Sequence, residues 1–259
     1  MHQTERQRLD EERAFLAAYD VAAYERPSVT VDVVLLTVRD GALWTLLGRR
    51  PEHPAKDRWA LPGGFVGMPE SLDDAAARVL GTKAALDDVY IEQLYTFGDP
   101  DRDPRTRVIS VAYYALIDAR TLERAVDRMR AASPGDDRLA LARLHVPWPG
   151  EDGGPVDALD PAGSALPLAF DHASILGTAV RRIRGKVDYA PIGFELLPER
   201  FSLRDLRLVH EAILGRELNK DSFRRRILDR GLVVATGERE QGVGHRPPEL
   251  YRFAAPGER

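Results

Sequence analysis

The residues best suited to chemistry lie in one stretch, 59–86, where a glycine-containing segment precedes a predicted helix. Gly63 and Gly64 carry no side chain, so the backbone at these positions can approach a ligand closely. The spacing of apolar residues over 70–86 predicts the helix, and Ser71 is placed as its N-terminal cap. The stretch is therefore a candidate ligand-binding segment.

The segment GFVGMPESLDDAAARVLGTKAAL, at 64–86, resembles without gaps the signature of the Nudix family, G-x5-E-x7-R-E-U-x-E-E-x-G-U, in which U is aliphatic. The positions that match are Gly64, Glu70, Arg78, Leu80 and Leu86. The positions that differ are Val79, Thr82, Lys83 and Ala85, where the family has three glutamates and a glycine. In Nudix hydrolases these glutamates bind Mg²⁺ on a diphosphate, so the resemblance implies a Nudix fold whose metal ligands are replaced.

The replacement of the glutamates changes the chemistry of one helix face. Positions 79, 82 and 83 share this face because they are spaced i, i+3, i+4. Three carboxylates there would bind hard cations, which polarise a phosphoryl group and activate water. Valine cannot ligate a metal, threonine is a poor substitute, and lysine repels a cation. We therefore predict no metal site, and we expect Lys83 to neutralise a diphosphate directly, so that a nucleotide binds without hydrolysis.

The other charged residues of this segment have two interpretations each. Glu70 is included with Lys83 among the predicted ligand contacts, and the alternative is a structural ion pair between Glu70 and Arg78 that holds the loop to the helix. Asp73 and Asp74 are placed to interact with the helix dipole. The alternative for them is a contribution to a weak metal site.

A second group of residues suits contact with DNA. Residues 191–259 carry 13 basic and 11 acidic side chains, whereas residues 1–190 carry 24 and 30. Arginine and lysine bind backbone phosphates, and arginine also reads guanine edges in the major groove. The predicted DNA contacts are Arg216, Lys220, Ser222, Arg224, Arg225, Arg226, His245 and Arg246. The alternative is an ordinary solvated helix in an arginine-rich protein.

The surrounding patterns predict the elements that position these residues. Two helices, over 202–215 and 220–229, are followed by a hairpin built from LVVAT and ELYRF, which is the order of a winged helix. Before them, the patterns predict strands at 28–38, 43–50, 89–98 and 107–117 and a closing helix at 170–187. We expect a helix within 4–24 to pack on the body of the protein through Leu9, Phe15, Leu16 and Tyr19. We expect residues 131–167 to be a long irregular excursion outside the core.

The two halves together resemble the Nudix-related transcriptional regulators of NAD metabolism, the NrtR family. The resemblance covers nearly the whole chain, in YERPSVTVDVVLLTV, WALPGGFV, the changed signature, LAFDHASIL, LLPERFSLRDL, DSFRRRI and ELYRF. It implies an α+β protein: a Nudix fold over 1–190, in which helices sandwich a mixed sheet, and a winged helix-turn-helix domain over 191–259. It also implies a homodimeric repressor that binds a palindromic operator, needs no cofactor, and senses ADP-ribose or a related nucleotide. The residues that it places near the nucleotide are Arg49, Trp59, Gly63, Gly64, Phe65 and Arg107.

The composition of the chain limits which kinds of site and which cellular location we expect. The absence of cysteine excludes disulfides and thiolate metal sites. No stretch approaches the ~20 apolar residues that span a bilayer, and the charged N-terminus lacks a signal-peptide run, so we expect a cytoplasmic protein. Three alternatives stay open. The chain could hydrolyse ADP-ribose or another nucleoside diphosphate derivative with Glu70, Asp73 or Asp74, its effector could be a sugar, or its winged helix could bind protein.

Overall fold

A large mixed sheet with its helices is followed by a small sheet with two helices. The computed structural model describes residues 2–135, 137–240 and 247–254. The helices are α1 (His2–Ala18), α2 (Leu72–Ala84), α3 (Ala119–Ala132), α4 (His172–Lys186), α5 (Leu203–Leu214) and α6 (Lys220–Asp229), with 3-10 turns at Val21–Ala23 and Pro191–Leu196. The strands are β1 (Ser28–Arg39), β2 (Ala42–Arg49), β3 (Trp59–Ala60), β4 (Gly63–Phe65), β5 (Tyr90–Phe97), β6 (Val108–Leu116), β7 (Leu139–His145), β8 (Asp157–Leu159), β9 (Phe201–Ser202), β10 (Val233–Arg239) and β11 (Glu249–Phe253).

Strand β1 organises the large sheet, whose strand order is β5-β6-β1-β2-β7-β8. It runs parallel to β6 and antiparallel to β2 and to the short β4. Successive side chains of a strand point to opposite faces. Val33 and Leu35 therefore pack in one apolar cluster, and Val34 and Leu36 pack in another. Burial of both faces explains why this strand reads as an almost continuous aliphatic run.

Helices cover both faces of this sheet. Helices α2 and α3 pack on the face of Val33, with Val79 and Leu122 among the buried contacts. Helix α4 packs on the opposite face through Ile175 and Ile183. This arrangement confirms the predicted mixed sheet between helices. None of the helices in the described residues is long and apolar enough to cross a membrane.

The C-terminal part has the predicted helix–helix–hairpin order. Ser202 and Asp205 form a reciprocal capping box at the start of α5, and Gly215 ends this helix with a left-handed backbone (φ 67°). Asn219 caps α6 by accepting a hydrogen bond from the Ser222 N–H. Strands β10 and β11 form the hairpin, to which β9 adds a third strand that the prediction omits.

Residues 131–167 are not an irregular excursion, and this prediction is wrong. Strand β7 pairs with β2, and β8 pairs with β7, so that the segment extends the large sheet. The buried side of these strands includes Ala142 and Ala158. Alanine has little preference for strands, so the pattern gives a weak signal between stretches rich in proline and glycine. The prediction also omits α3, which packs beside α2.

The N-terminal helix does not pack on the body of the chain as expected. Helix α1 ends at Ala18, and Leu9, Phe15, Leu16 and Tyr19 are each about half exposed or more. The rings of Phe15 and Tyr19 lie 5.7 Å apart and contact each other instead. Charged residues surround this apolar stripe, so it offers too little area to hold the helix against the sheet.

The two halves of the chain share one apolar core. Val209 and Ile213 of α5 lie in the same buried cluster as Leu43, Ile183 and Val187 of the large-sheet part. The predicted boundary between 190 and 191 crosses this core. The division of the chain into domains at that point stays a prediction.

The shared core makes the stability of both halves sensitive to Ile213. Changing Ile213 to alanine should lower the free energy of unfolding by about 2–5 kcal/mol, because it removes buried methyl and methylene groups and leaves a cavity. Thermal and urea unfolding followed by circular dichroism measure the change. We expect one cooperative transition, because the buried cluster that contains Ile213 is built from residues of both parts.

Leu228→Ala is the matched control, because Leu228 lies on α6 and is 39% exposed. This control should change the free energy of unfolding by less than about 1 kcal/mol. Equal effects of the two variants, or two separate transitions in the parent, would contradict a shared core.

Candidate functional site

Two cavities lie side by side where β1, β2 and the segment 60–65 meet. The histidine cavity, about 240 Å³ in volume, is lined by Thr30, Asp32, Arg50, Ala60, Leu61, Gly63, Gly64, Phe65, Arg102, Asp103, Arg105, Val108, Phe170 and His172. The lysine cavity, about 440 Å³, is lined by Leu46, Gly48, Arg49, Arg50, Pro51, Leu61, Pro62, Gly63, Thr82, Lys83, Met129, Arg130, Ser133, Arg138 and Leu139. Arg50, Leu61 and Gly63 line both cavities, so the two are direct neighbours.

Asp32 forms the floor of the histidine cavity. It lies on the face of β1 that α4 covers, and only 8% of the residue is exposed. The Ser110 hydroxyl donates a hydrogen bond to this carboxylate, and Nη2 of Arg102 lies 3.6 Å from it. Arg102 also donates two hydrogen bonds to Asp171, at 2.8 and 2.9 Å. The buried charge is thus compensated by partners on β6 and on the loop after β5.

His172 connects this floor to the glycine-containing segment. Its Nδ1 accepts a hydrogen bond from the Leu61 N–H at 2.9 Å, so the proton of the neutral ring is on Nε2. Nε2 faces Asp32 at 3.8 Å. Burial lowers the pKa of His172, which keeps the ring neutral. The first position of β4 needs glycine, because a Cβ on Gly63 would lie 2.3 Å from the Asp32 carboxylate and 2.9 Å from the Val31 carbonyl.

Two pairs of arginine and phenylalanine form the rim of the histidine cavity. The guanidinium of Arg50 lies 4.8 Å from the centre of the Phe170 ring. That of Arg105 lies 5.8 Å from the centre of the Phe65 ring and is held by two hydrogen bonds to Asp103. Such a rim offers flat faces for stacking and positive charge for an anion.

The lysine cavity is strongly basic. Lys83 lies in the last turn of α2 and Arg130 in the last turn of α3, and both are exposed. Arg49, at the end of β2, forms ion pairs with Asp57 and Asp137 at 3.4 and 3.6 Å. Within the described ranges, no cluster of three or more histidine or acidic side chains is arranged to hold a metal ion. The lining suits an anion better than a cation.

Val79, Thr82 and Lys83 occupy the helix face that would carry metal ligands in a Nudix hydrolase, and each has a different role here. Val79 is 1% exposed and packs in the core beneath Gly64. The Thr82 hydroxyl donates to the Arg78 carbonyl, four residues earlier, at 2.7 Å. Only Thr82 and Lys83 line a cavity, and of the two only Lys83 carries a charge.

Glu70 holds the loop that leads into α2. Its carboxylate accepts hydrogen bonds from the Gly67 N–H at 2.6 Å and from Arg78 at 2.6 and 2.9 Å. Arg78 also donates to the Phe65 carbonyl at 2.9 Å. These bonds support the interpretation of Glu70 and Arg78 as a structural ion pair. They also hold Phe65 at the rim of the histidine cavity.

The two aspartates at the start of α2 are likewise engaged within the fold. Asp73 accepts a hydrogen bond from the Tyr113 hydroxyl at 2.7 Å. Asp74 completes the capping box with Ser71. Both roles stabilise the N-terminal end of the helix, away from the two cavities.

The predicted ligand residues divide into three groups in the structure. Gly63, Gly64 and Phe65 line the histidine cavity, and Arg49, Gly63 and Lys83 line the lysine cavity. Trp59, Glu70 and Arg107 line neither of the two cavities. Trp59 pairs with Arg49 through β3, and Arg107 donates to the Asp99 carbonyl at 3.1 Å.

Several lining residues are missing from the prediction. They are Asp32, Arg50, Arg102, Arg105, Phe170, His172 and Arg130. Two signals in the sequence pointed toward some of them. Asp32 is the one acidic residue in the aliphatic run 28–38, where a charge needs partners, and the loop 99–107 alternates aspartate with arginine.

The basic residues of α6 face different surroundings. Lys220, Arg224 and Arg225 are exposed. Arg224 contacts the Tyr251 hydroxyl, whereas no hydrogen bond or ion pair engages Arg225 among the described residues. Lys220 and Arg224, with Arg204 and Arg207 of α5, line a groove of about 400 Å³ beside β11.

The other predicted DNA contacts are less favourably placed. Arg226 donates to Asp188 at 3.0 Å, which directs it toward the end of α4. Ser222 is exposed on α6, where its N–H bonds to the cap Asn219. Arg216 lines a separate cavity between α5 and the loop 146–150. His245 and Arg246 lie outside the described residues.

Comparison with known proteins agrees with this two-part architecture. The chain matches the NUDIX domain over residues 26–134 and the NrtR DNA-binding winged helix domain over residues 193–253. The ADPR responsive transcriptional repressor NtrR of Acinetobacter baylyi is 36% identical over 245 residues, which cover 94% of this chain and 88% of that protein. The chain belongs to the NrtR family. The crystal structure of Shewanella oneidensis NrtR complexed with a 27mer DNA matches it with a TM-score of 0.70 and 32% identity, over 87% of this chain and 93% of that one.

A shorter similarity extends to an enzyme. The ADP-ribose pyrophosphatase of Methanocaldococcus jannaschii is 36% identical over 90 residues, which cover 35% of this chain and 51% of that protein. This NrtR-family chain also has a stretch, 135–192, that lies between the two matched regions and contains β7, β8 and α4. Phe170 and His172 of the histidine cavity come from this stretch.

The Glu70–Arg78 pair makes the stability of the fold depend on pH in acid. Hydrogen bonds from Arg78, with that from the Gly67 N–H, lower the pKa of Glu70 to about 2. Because the fold favours the carboxylate, this contribution is complete above the ordinary value of 4.5 and is lost as the pH falls from there to about 2. We expect Glu70→Gln to lower the melting temperature at neutral pH, with a difference from the parent that shrinks toward pH ~2.

Glu217→Gln serves as the control, because Glu217 is exposed and lies outside the large-sheet part. Its melting temperature should follow that of the parent at each pH. A melting difference for Glu70→Gln that is equally large at both ends of the pH range would contradict the ion-pair interpretation.

Proposed function

We propose that the chain is a DNA-binding transcriptional repressor, working in the cytoplasm, whose operator affinity responds to ADP-ribose. The observation that carries this proposal is the combination, in one chain, of two neighbouring cavities lined by arginine and lysine and an exposed basic helix on a winged helix. The 36% identity to an ADPR responsive repressor over 94% of the chain supports it. The matched NrtR structure, which contains DNA, supports the same assignment of the winged helix.

ADP-ribose fits the two cavities as an elongated anion with one aromatic end. Phe65 and Phe170 offer faces on which adenine can stack, and Arg50 lies between the two cavities. Lys83 and Arg130 would then bind the diphosphate from the lysine cavity. A nucleotide held in this way needs no metal ion or other cofactor, because lysine and arginine supply the positive charge.

The chain binds this nucleotide without turning it over, in our proposal. A working Nudix enzyme activates water with metal ions held by carboxylates. Here the equivalent positions carry a buried valine, a threonine bonded to its own helix, and a lysine. The short similarity to an ADP-ribose pyrophosphatase is consistent with recognition of the same class of molecule.

Helix α6 would read DNA in the major groove, with Arg225 and Arg224 as its central contacts. Arg225 is exposed and near the middle of the helix, and Lys220 and Ser222 lie at its N-terminal end. Phosphate contacts set the orientation of such a helix, and base contacts set its specificity. A winged helix of this size covers one half-site, so we propose a homodimer on a palindromic operator.

Lys83→Ala should weaken the binding of ADP-ribose by about 10- to 100-fold, because one charge-assisted contact contributes about 1.5–3 kcal/mol. Isothermal titration of the full chain measures this affinity. The affinity for DNA without nucleotide should stay the same, since Lys83 belongs to the large-sheet part and α6 to the C-terminal part.

Lys56→Ala is the matched control, because Lys56 is exposed and lines neither cavity. It should bind ADP-ribose as the parent does. An unchanged affinity in Lys83→Ala would contradict the assigned diphosphate contact. Release of AMP from ADP-ribose and Mg²⁺ at the rate of an active Nudix hydrolase would contradict the proposal of binding without turnover.

Arg225→Ala should weaken binding to the operator by about 5- to 100-fold and leave ADP-ribose binding intact, because a lost base contact costs about 1–3 kcal/mol. Gel shifts on DNA upstream of the chain's own gene, at several salt concentrations, measure the effect. If Arg225 contacts a phosphate instead, the affinity of the variant should also depend less on salt. The slope of log affinity against log salt concentration should become less steep by about one.

Arg120→Ala makes the same charge change on an exposed side chain of α3, in the large-sheet part. It should leave the operator affinity unchanged. Equal affinities for the Arg225→Ala and parent chains would show that α6 does not read the operator.

A further inference from the structure

One helix, α4, reaches from the histidine cavity to the C-terminal part of the chain. Its first residue, His172, lines the cavity, and the residue before it, Asp171, holds Arg102 of the same cavity. The helix has 15 residues. At a rise of 1.5 Å per residue it spans about 22 Å. Its other end lies against α5, which carries the shared apolar core.

Arg184 occupies the junction at that other end, and only 6% of it is exposed. Its Nε donates to the carbonyl of Ile213, in α5, at 2.8 Å. Its Nη1 donates to the carbonyls of Trp148 and Gly150, at 3.2 and 2.8 Å. The guanidinium also lies 4.8 Å from the centre of the Trp148 ring. One buried cation thus joins α4, the loop after β7 and the end of the first winged-helix helix.

The loop at 148–155 is closely packed against α4. A Cβ on Gly177 of α4 would lie 1.8 Å from the carbonyl oxygen of Gly154, so the loop backbone rests directly on the helix. The Trp148 indole donates to the Gly154 and Pro155 carbonyls, at 3.2 and 3.3 Å, which closes the loop on itself. On the other side of the junction, a Cβ on Gly215 would lie 2.9 Å from the Arg184 guanidinium.

The bonds of Arg184 differ from those of its neighbours on α4. Arg182 and Lys186 bind Glu92 of β5, and so fix α4 to its own sheet. Within the part of the chain that the structure describes, Arg184 bonds only to carbonyls of other segments, two of them in the loop and one in α5. Its hydrogen bonds therefore set the orientation of α5 relative to α4.

We propose that α4 couples the histidine cavity to the DNA-binding part, and that Arg184 is the positioning residue of this junction. The inference rests on the proposed function and adds a route by which a bound nucleotide affects DNA affinity. A nucleotide that engages Arg102 or His172 acts on the N-terminal end of α4. Arg184 passes the orientation of α4 to α5 and, through it, to the recognition helix α6. Without Arg184 both ligands still bind, but each loses its influence on the other.

Arg184→Lys tests the proposal, because lysine keeps the charge but cannot bond to three carbonyls in a fixed plane. The measurement is the operator affinity of the full chain with and without saturating ADP-ribose. Coupled sites commonly change affinity by 5- to 150-fold, and we expect such a ratio in the parent. In Arg184→Lys the ratio should fall to within about twofold of one. The affinity for ADP-ribose without DNA should stay within about twofold of that of the parent, which a general loss of structure would not allow.

Arg182→Lys is the matched control, since it makes the same change on the same helix but bonds only within the large-sheet part. It should keep the parental ratio. If Arg184→Lys does not fold, Trp148→Leu provides a second test. It removes the ring beneath the guanidinium and should also reduce the ratio.

A distance measurement separates failure of this inference from failure of the proposed function. The chain contains no cysteine, so Arg124→Cys on α3 and Asp229→Cys on α6 give a specific pair of spin-label sites. Labelled chains diluted with unlabelled ones report the distance within one chain. The distribution should be narrow in the parent and in Arg182→Lys, and broader in Arg184→Lys, with or without nucleotide.

The outcomes are distinct. If the parental chain binds DNA equally with and without ADP-ribose, the proposed effector response is wrong. The spin-label distances then test Arg184 separately, since a broader distribution in Arg184→Lys would still support its positioning role. Parental coupling and a parental distance distribution in Arg184→Lys overturn the inference and leave the proposed function standing.

Discussion

The arrangement of the N-terminal part depends on one buried carboxylate, that of Asp32, in a strand that is covered on both faces. Removing a partner from a buried charge costs about 3–5 kcal/mol, so such a group dictates what surrounds it. The hydroxyl of Ser110 and the guanidinium of Arg102 meet this requirement, and the ring of His172 lies 3.8 Å from the carboxylate. His172 begins α4, and Gly63 has no room for a Cβ beside the carboxylate. The position of α4, the path of the glycine-containing segment and the shape of the cavity follow from this one charge.

Local patterns allowed much of the fold to be predicted, and long-range polar partners explain what was missed. The aliphatic run of β1 and the Ser71 cap of α2 are signals carried by adjacent residues, and the structure confirms both. The histidine cavity is different, because Arg102 and Asp171 are separated by 69 positions and no pattern links them. Strand β7 was missed for another reason, since its buried Ala142 gives little strand signal. Composition and periodicity thus identify elements, but they do not identify which distant charges meet.

In the lysine cavity, basic side chains lie where two helices end. Helices α2 and α3 both end there, and the last carbonyls of a helix carry partial negative charge. Such a site would bind a cation well if it also carried carboxylates. Lys83 and Arg130 offset the negative helix ends, and together with Arg49 they make the cavity basic. These basic side chains, rather than the helix ends themselves, therefore favour a bound phosphate group without a metal ion to bridge it.

Two kinds of interaction hold the junction between the two parts of the chain: apolar contacts, which have no preferred direction, and hydrogen bonds, which have one. Apolar burial at Val209 and Ile213 holds the parts together, but the hydrophobic effect has no preferred direction and so tolerates rotation of α5. Hydrogen bonds weaken steeply when they are misaligned. The three carbonyls that accept from Arg184 therefore select one orientation out of those that the apolar contact allows. A regulator needs both properties: a contact strong enough to survive a change of orientation, and a directional element whose position a ligand can alter. In the proposed coupling, the directional element lies at the far end of the helix that begins with His172, and this placement would bring nucleotide and operator under the same constraint.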